Sequence, residues 1–155
     1  MTKSDGSALP VKPWLSKSAE TLRAQVNVAF PERDKSSDGW LGDLRHAARK
    51  SDHNPDPTGC VRGLDLDADL AGRGNKPDYM PDLADQLRLC AKADKRKRIS
   101  YIIYNGKIAS PKRRWAWRKY TGINQHTKHA HISFSETADL DTTTFAIPLL
   151  KEPTE

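Results

Sequence analysis

The sequence predicts a single α+β domain in which a small antiparallel sheet carries the functional side chains and helices pack on one side of it. Two stretches place apolar residues at helical spacing, and three have the alternation or the β-branched and aromatic composition of strands. At about 150 residues per domain, a chain of 155 residues forms one domain. We expect that domain at residues 18–135, between an irregular lead at residues 1–17 and a partly ordered tail at residues 136–155.

The helices are expected at residues 18–30 and 81–95. The Ser18 hydroxyl is suited to cap the first helix, and Pro31 ends it because proline cannot continue a helix. Pro81 lies in the first turn of the second helix, where its missing N–H is not needed. In both stretches the apolar residues recur on one face, so each helix has a side to bury.

The strands are expected at residues 61–67, 98–104, 107–110 and 129–134. The second and third of these flank Asn105-Gly106, a favoured two-residue hairpin turn, and therefore form an antiparallel pair. In an alternating strand, residues two apart share a face, so polar side chains at such spacing point the same way.

The composition excludes several classes of protein. No stretch approaches the ~18–20 apolar residues that a membrane helix needs. Cys60 and Cys90 form no CxxC motif, and we expect reduced thiols in the core, although one disulfide between them is the alternative in an oxidising compartment. The net charge of +6 favours a polyanionic partner, either nucleic acid or a bacterial wall.

Three of the five histidines lie within six positions: His126, His129 and His131. His129 and His131 alternate on a predicted strand, so both imidazole rings reach the same face and can offer nitrogens to one centre. Taken alone, such a pair is also compatible with a structural or solvent-facing role.

A carboxylate and a third imidazole precede this pair in the chain. Asp65 and Asp67 share a face of an otherwise apolar strand, and His53 lies in the polar loop before it. A buried carboxylate needs a partner, which is either a metal ion or one of the many arginines. Two histidines and one carboxylate with an open fourth position form a hydrolytic zinc arrangement. The chain has no HExxH motif, which excludes the helix-based metalloproteases.

The order of these motifs resembles the zinc peptidases grouped as lysostaphin-type, D-alanyl-D-alanine and hedgehog-like enzymes. Within that group the chain is most similar to the peptidoglycan peptidase modules of endolysins from phages that infect actinobacteria. The resemblance spans roughly residues 14–135 and is carried by Asp38-Gly39 with residues 42–46, by Ser51-Asp-His-Asn-Pro55, by Gly63-Leu-Asp-Leu66, by Tyr120-Thr-Gly122 and by residues 126–133.

The resemblance implies roles for individual residues. His53, Asp65 and His131 match the metal ligands. His129 matches the position that acts as base or stabilises the transition state, and His126 matches a further histidine in the branch of the group that lacks a catalytic Glu. We therefore expect one Zn²⁺ per chain, with His129 and His126 as the catalytic residues.

Ser51 matches the serine of the S-x-H motif, for which we expect a role in orienting a ligand. Three features depart from the family pattern. The twelve positions from His53 to Asp65 exceed the usual spacing and require a longer loop. Lys128 occupies the position of the catalytic Glu of the other branch, and Asp67 competes with Asp65 as the ligand.

Four further residues are candidates for contact with substrate or ligands. Trp115 and Trp117 alternate just before the histidines and suggest a wall of the substrate groove, with core packing as the alternative. Arg49 and Arg62 flank the ligand motifs and could bind a peptide carboxylate, with a surface role as the alternative. His46 is expected to be structural.

The function that the resemblance implies is hydrolysis of an amide bond in the stem peptide or cross-link of bacterial peptidoglycan. The expected partner is peptidoglycan rather than nucleic acid, and a monomer is favoured. Because residues 1–15 lack the apolar segment of a secretory signal, we expect synthesis in the host cytoplasm and access to the wall after the membrane is permeabilised.

Two alternatives stay open at this point. One is a DNA-nicking nuclease of the HUH type, in which His129 and His131 bind a metal and Tyr120 attacks the DNA. Tyr120 precedes the histidine strand, whereas the tyrosine of that family normally follows it on a helix. The other alternative is a binding module that retains the zinc fold without catalysis.

Overall fold

The computed structural model describes residues 12–41 and 51–151. Within these residues, two α-helices and a five-stranded antiparallel sheet form one α+β domain, which confirms the predicted fold class. A separate two-stranded parallel pair joins the start of the chain to its middle.

The elements are as follows. The helices are α1 (Lys17–Ala29) and α2 (Met80–Ala93). The parallel pair is β1 (Trp14–Leu15) and β2 (Cys60–Val61). The sheet has the order β3-β7-β4-β5-β6 and is formed by β3 (Gly63–Asp67), β4 (Ile99–Tyr104), β5 (Lys107–Ala109), β6 (Arg118–Lys119) and β7 (His129–Phe134).

The register of the three central strands separates the sheet into two chemically different faces. Ile132 of β7 pairs with Leu64 of β3 and with Ile102 of β4, and all three side chains are buried in the core that both helices share. The alternate positions point to the opposite face, where Asp65 lies directly opposite His131. One face therefore forms the core, and the other carries the polar side chains of the predicted site.

The first helix begins at Lys17, one residue before the predicted start. The Ser18 hydroxyl does not cap it and instead donates a hydrogen bond of 2.7 Å to the carbonyl oxygen of Asp141. Ser16, at the N-cap position, donates to the carbonyl oxygen of Ala138 at 3.3 Å. Both hydroxyls thus attach the helix to the C-terminal segment, which sequence spacing alone could not reveal.

The predicted strand at residues 61–67 is interrupted at Arg62. The Arg62 guanidinium forms ion pairs with Asp56 at 2.6 Å and with Asp139 at 2.7 Å. These pairs, first of all the one with Asp139, raise the pKa of Arg62. They connect the loop before β2 to the segment after β7.

The C-terminal segment extends the core beyond the expected domain boundary at residue 135. Phe145, Ile147 and Leu150 are buried, with at most 3 % of each exposed. The side-chain amide of Gln25 on α1 accepts from the backbone N–H of Phe145 at 2.9 Å and donates to its carbonyl at 3.0 Å. Residues 136–151 are therefore packed on the domain rather than forming a loose tail, and the expected boundary is corrected.

Replacing Phe145 with alanine should destabilise the domain strongly. A buried phenylalanine truncated to alanine loses transfer free energy and leaves a cavity, which together cost about 3–5 kcal/mol. Urea unfolding followed by circular dichroism measures this loss. Leu140→Ala is the matched control, because Leu140 lies in the same segment but is 75 % exposed. Equal effects of the two substitutions would contradict the assignment of this segment to the core.

Cys60 and Cys90 are both free, as predicted. Burial raises the pKa of the Cys60 thiol to about 12, so this thiol stays protonated and unreactive at neutral pH. In the part of the chain that the structure describes, neither helix has the length and apolar character needed to cross a membrane.

Candidate metal centre

A pocket of about 440 Å³ lies on the polar face of the sheet. It brings together four of the five histidines, from two separate parts of the chain, around Asp65; they are His53, His126, His129 and His131. Ser51 and Tyr120 also line it. The structure thus assembles in one place the predicted metal ligands and the predicted catalytic histidines.

Asp65 is the centre of this cluster. Its Oδ1 lies 2.9 Å from Nδ1 of His131. Its Oδ2 lies 3.4 Å from Nε2 of His53 and 3.5 Å from Nε2 of His129. Three imidazole rings therefore converge on a single carboxylate.

Two sets of three side chains are positioned to hold a metal ion, and they share Asp65. One set is His53, Asp65 and His131, and the other is Asp65, His126 and His129; in each, the ligand atoms lie within 4.8 Å of one another. Ligand atoms bound at about 2.0–2.2 Å by a tetrahedral zinc ion lie about 3.3–3.6 Å apart. The separations of Asp65 Oδ2 from Nε2 of His53 in the first set and from Nε2 of His129 in the second match this spacing, while the contact of His131 Nδ1 with Asp65 Oδ1 is shorter, at 2.9 Å. Imidazole nitrogens and a carboxylate oxygen are also the donor types that zinc binds.

The hydrogen bonds behind the rings distinguish the two sets. A histidine that binds a metal through one nitrogen almost always donates a hydrogen bond from the other. Nδ1 of His53 lies 2.9 Å from the carbonyl oxygen of Trp40, and Nε2 of His131 lies 2.7 Å from the Ser133 hydroxyl. In contrast, the buried Nδ1 atoms of His126 and His129 have no hydrogen-bond partner within residues 12–41 and 51–151. In the set of His53, Asp65 and His131, hydrogen bonds therefore already hold both imidazole rings in position to bind a metal ion.

A second layer of polar residues supports His131. The Ser133 hydroxyl donates to Oδ2 of Asp52 at 2.7 Å, and the Tyr101 hydroxyl donates to the same oxygen at 2.6 Å. The Tyr101 ring also stacks on the His131 ring, with centroids 5.6 Å apart. Sequence analysis assigned no role to Asp52, Ser133 or Tyr101. The spacing of Ser133, two residues after His131 on the same strand face, was the available signal.

The protonation of the cluster follows from its geometry. Burial raises the pKa of the Asp65 carboxyl, but its contacts with His131 and His53 outweigh burial and hold that pKa well below its usual range. Burial and the neighbouring His131 and His129 lower the pKa of His126 to about 4, so His126 is neutral at pH 7. Asp65 is thus an ionised acceptor, and His126 offers a free lone pair.

The structure separates Asp65 from its competitor Asp67. Oδ2 of Asp67 accepts hydrogen bonds from the Ser37 backbone N–H at 3.0 Å and from the Ser37 hydroxyl at 2.8 Å. Its Oδ1 accepts from the backbone N–H of Asp69 at 2.8 Å. Asp67 therefore organises neighbouring loops, while Asp65 belongs to both candidate metal sets.

The long interval between His53 and Asp65 contains a self-contained turn. Oδ1 of Asp56 accepts hydrogen bonds from the Thr58 hydroxyl at 2.7 Å and from the backbone N–H groups of Thr58 and Cys60, both at 2.9 Å. These bonds, first of all that of the Thr58 hydroxyl, lower the pKa of Asp56 to about 2. Part of the extra length between His53 and Asp65 therefore forms an ordered turn around the Asp56 carboxylate.

Gly63 lets the loop that carries His53 pass close to the sheet. A Cβ at position 63 would lie 3.0 Å from the backbone carbonyl carbon of Asp52. Since few Cβ atoms approach backbone so closely, a side chain at Gly63 has to push the loop of residues 51–54 away from β3.

Gly63→Ala should therefore weaken metal binding and cost about 1–3 kcal/mol of stability, the usual range for overpacking. Zinc titration and urea unfolding of the same samples measure both effects. Gly39→Ala is the control, because a Cβ at Gly39 meets nothing within 4 Å. Unchanged zinc affinity in Gly63→Ala would show that the loop adjusts without moving His53.

The Ser51 hydroxyl, expected to orient a ligand, accepts a hydrogen bond from the backbone N–H of His53 at 3.2 Å. Trp115 is buried, and Trp117 donates to Asp85 of α2 at 3.0 Å. Neither tryptophan lines the pocket, and neither does Arg62, which is held in its ion pairs. The core-packing alternative thus describes Trp115. Arg49 and His46 lie outside the described residues.

Comparisons of the chain with models of protein families, with curated proteins and with solved structures found no match.

Proposed function

We infer that this chain is a zinc-dependent peptidase that hydrolyses an amide bond in the stem peptide or cross-link of bacterial peptidoglycan. The observation that carries the proposal is the convergence of His53 and His131 on Asp65, with the outer nitrogen of each ring anchored by a hydrogen bond. A set of one carboxylate and two imidazoles that is open to a pocket on one side is typical of hydrolytic zinc sites.

Each residue has a task in this proposal. His53, Asp65 and His131 hold the zinc ion, which when bound activates a water molecule and polarises the scissile carbonyl. His129 lies beside Asp65 and is not needed to complete the set, so it is available to move a proton at Nε2 or to stabilise negative charge. The His126 ring meets the His129 ring edge-on, with centroids 5.2 Å apart, and restrains it.

The peptidoglycan substrate is supported by the resemblance to endolysin peptidases in motifs that reach from Asp38 to Ser133. The pocket geometry agrees with the residue roles that this resemblance implies. A net charge of +6 also favours approach to an anionic bacterial wall.

The contacts that run from Ser133 through His131 to Asp65 have the order found in serine hydrolases, yet they do not support that chemistry. Ser133 is fully buried, with 0 % of its surface exposed, so a substrate cannot reach its oxygen. Its hydroxyl proton is also donated to Asp52. A role behind the metal site is the better interpretation of Ser133.

The decisive experiment uses purified peptidoglycan incubated with the zinc-loaded protein, followed by mass analysis of the released fragments. Hydrolysis of a peptide amide should give products that carry a new amino group and a new carboxyl group. The same incubation with His131→Ala should release nothing. Release of fragments cut only in the sugar chain, or no release from any wall type, would contradict the proposal.

A DNA-nicking nuclease of the HUH type is the second candidate, because Tyr120 lines the same pocket as His129 and His131. The Tyr120 ring contacts the His126 ring, with centroids 5.8 Å apart. A nicking assay on single-stranded DNA with Mg²⁺ or Mn²⁺ separates the candidates. Cleavage that disappears in Tyr120→Phe, with a covalent protein–DNA adduct in the native protein, would favour the nuclease.

A further inference from the structure

A continuous chain of hydrogen bonds runs behind the candidate metal centre. Nε2 of His131 lies 2.7 Å from the Ser133 oxygen, and the Ser133 hydroxyl donates to Asp52 at 2.7 Å. Tyr101 donates to the same Asp52 oxygen at 2.6 Å. The chain thus connects an ionisable group of the polar loop to the innermost ring of the pocket.

The donor and the acceptor of each hydrogen bond in this chain follow from the number of protons that each group can donate. An ionised carboxylate only accepts hydrogen bonds, and a serine hydroxyl has a single proton to donate. Because Ser133 gives its proton to Asp52, its oxygen must accept the bond from His131. Nε2 of His131 is therefore the protonated nitrogen.

With the proton on Nε2, the contact between Nδ1 of His131 and Asp65 has no hydrogen to share. In a neutral imidazole with a proton on Nε2, Nδ1 carries a lone pair. Nδ1 of His131 faces Oδ1 of Asp65 at 2.9 Å, so two acceptors confront each other. Only a proton on Nδ1 or a metal cation beside both atoms makes this contact favourable.

We propose that Asp52, acting through the Ser133 hydroxyl, is a positioning residue that keeps His131 in the tautomer with a free Nδ1 and so prepares it to bind the metal. This inference rests on the metal centre of the proposed function. Tyr101 supports Asp52 by occupying the same oxygen and by stacking on the His131 ring. Ser133 has 0 % of its surface exposed, so its bond to the ring is shielded from solvent.

We call the hydrogen-bonded series Asp52, Ser133 and His131 the relay. Ser133→Ala tests it through the affinity of the protein for the metal. Loss of a hydrogen-bond partner behind a ligand typically weakens metal binding about 10–100-fold. We expect that range for Ser133→Ala and Asp52→Asn, and a smaller loss for Tyr101→Phe, which keeps the Ser133–Asp52 bond. The affinity is measured by competition for Zn²⁺ with a chromophoric chelator. The matched control is Ser135→Ala, since the Ser135 hydroxyl bonds to the carbonyl oxygen of Lys97 at 2.7 Å and not to the pocket.

The Co²⁺-loaded protein gives a readout that a merely structural role would not change. Ring N–H protons of cobalt ligands are strongly shifted in proton NMR and are seen only when exchange with water is slow. The native protein should show one such signal from Nδ1 of His53 and one from Nε2 of His131. Ser133→Ala should lose the His131 signal and keep the His53 signal, which depends on the Trp40 carbonyl.

The outcomes separate this inference from the proposed function. If the native protein binds zinc and cleaves peptidoglycan, but Ser133→Ala and Asp52→Asn match it in affinity and in both N–H signals, the relay is wrong and the peptidase proposal stands. If the native protein binds neither Zn²⁺ nor Co²⁺, both are overturned. Should Ser133→Ala fail to fold, Asp52→Asn decides the question by the same two measurements.

Discussion

His131→Ala is expected to abolish zinc binding, reducing the metal content from about one zinc per chain to none. His131 has the shortest contact with Asp65, at 2.9 Å, and it is the most buried of the three ligands. Its removal leaves two donors, which is fewer than the three protein ligands of a hydrolytic zinc site. Elemental analysis of the protein after dialysis against a weak chelator measures the effect.

The substitution also removes the partner of Ser133 and of Asp65, and an unsatisfied buried polar group costs about 1–3 kcal/mol. Folding is therefore monitored by near-ultraviolet circular dichroism in the same samples. His46→Ala is the control and should retain its zinc, because sequence analysis assigns His46 a structural role. Equal zinc retention in His131→Ala and His46→Ala would overturn the ligand assignment.

Local sequence patterns were sufficient to predict the strands that carry the site. The boundaries of β7 agree with the prediction because the polar residues His129, His131 and Ser133 alternate strictly with apolar residues of the core. The hairpin between β4 and β5 follows from Asn105-Gly106, whose backbone φ angles of 51° and 79° suit the left-handed turn that joins two such strands.

The packing of the C-terminal segment could not be predicted in the same way. Phe145, Ile147 and Leu150 belong to an extended stretch and a single 3-10 turn, so they show neither helical nor strand periodicity. Their burial depends on α1, which lies 120 positions away in sequence at the Gln25–Phe145 contact. Only a long-range contact, and not a local pattern, specifies such a segment.

The candidate site was predictable where it depends on motifs and unpredictable where it depends on register. The S-x-H and H-x-H motifs indicated His53 and His131, and the strand pairing that sets Asp65 opposite His131 then brings the three together. The relay through Asp52 depends on a loop passing over Gly63 and on the pairing of Tyr101 with Ser133. No short motif encodes either of these arrangements.

His129→Ala is expected to retain zinc and to lose activity by about 10²–10⁴-fold, the usual effect of removing a general acid or base. His129 and His131 lie on one face of β7, two residues or roughly 6.6 Å apart along the strand. Their rings meet different sides of Asp65, since His131 contacts Oδ1 and His129 lies 3.5 Å from Oδ2. One ring can therefore hold the metal while the other faces the pocket beside it.

Two substitutions at neighbouring positions serve as comparisons for His129→Ala. His126→Ala should cost less activity, because the His126 ring packs against the His129 and His131 rings and is not one of the three proposed ligands. Lys128→Ala should change little, because Lys128 is exposed and does not line the pocket. Turnover on a defined wall fragment and zinc content are measured in the same preparations, so that loss of metal is not mistaken for loss of catalysis.

Two contrary outcomes would assign these roles to other residues. If His129→Ala is close to the native protein in turnover, the proton is moved by another group of the pocket. If His129→Ala loses its zinc while His53→Ala retains it, the ion binds to Asp65, His126 and His129, the second set whose donors lie within 4.8 Å. The roles of the two histidines of the H-x-H motif would then be exchanged, and His131 would serve catalysis instead of metal binding.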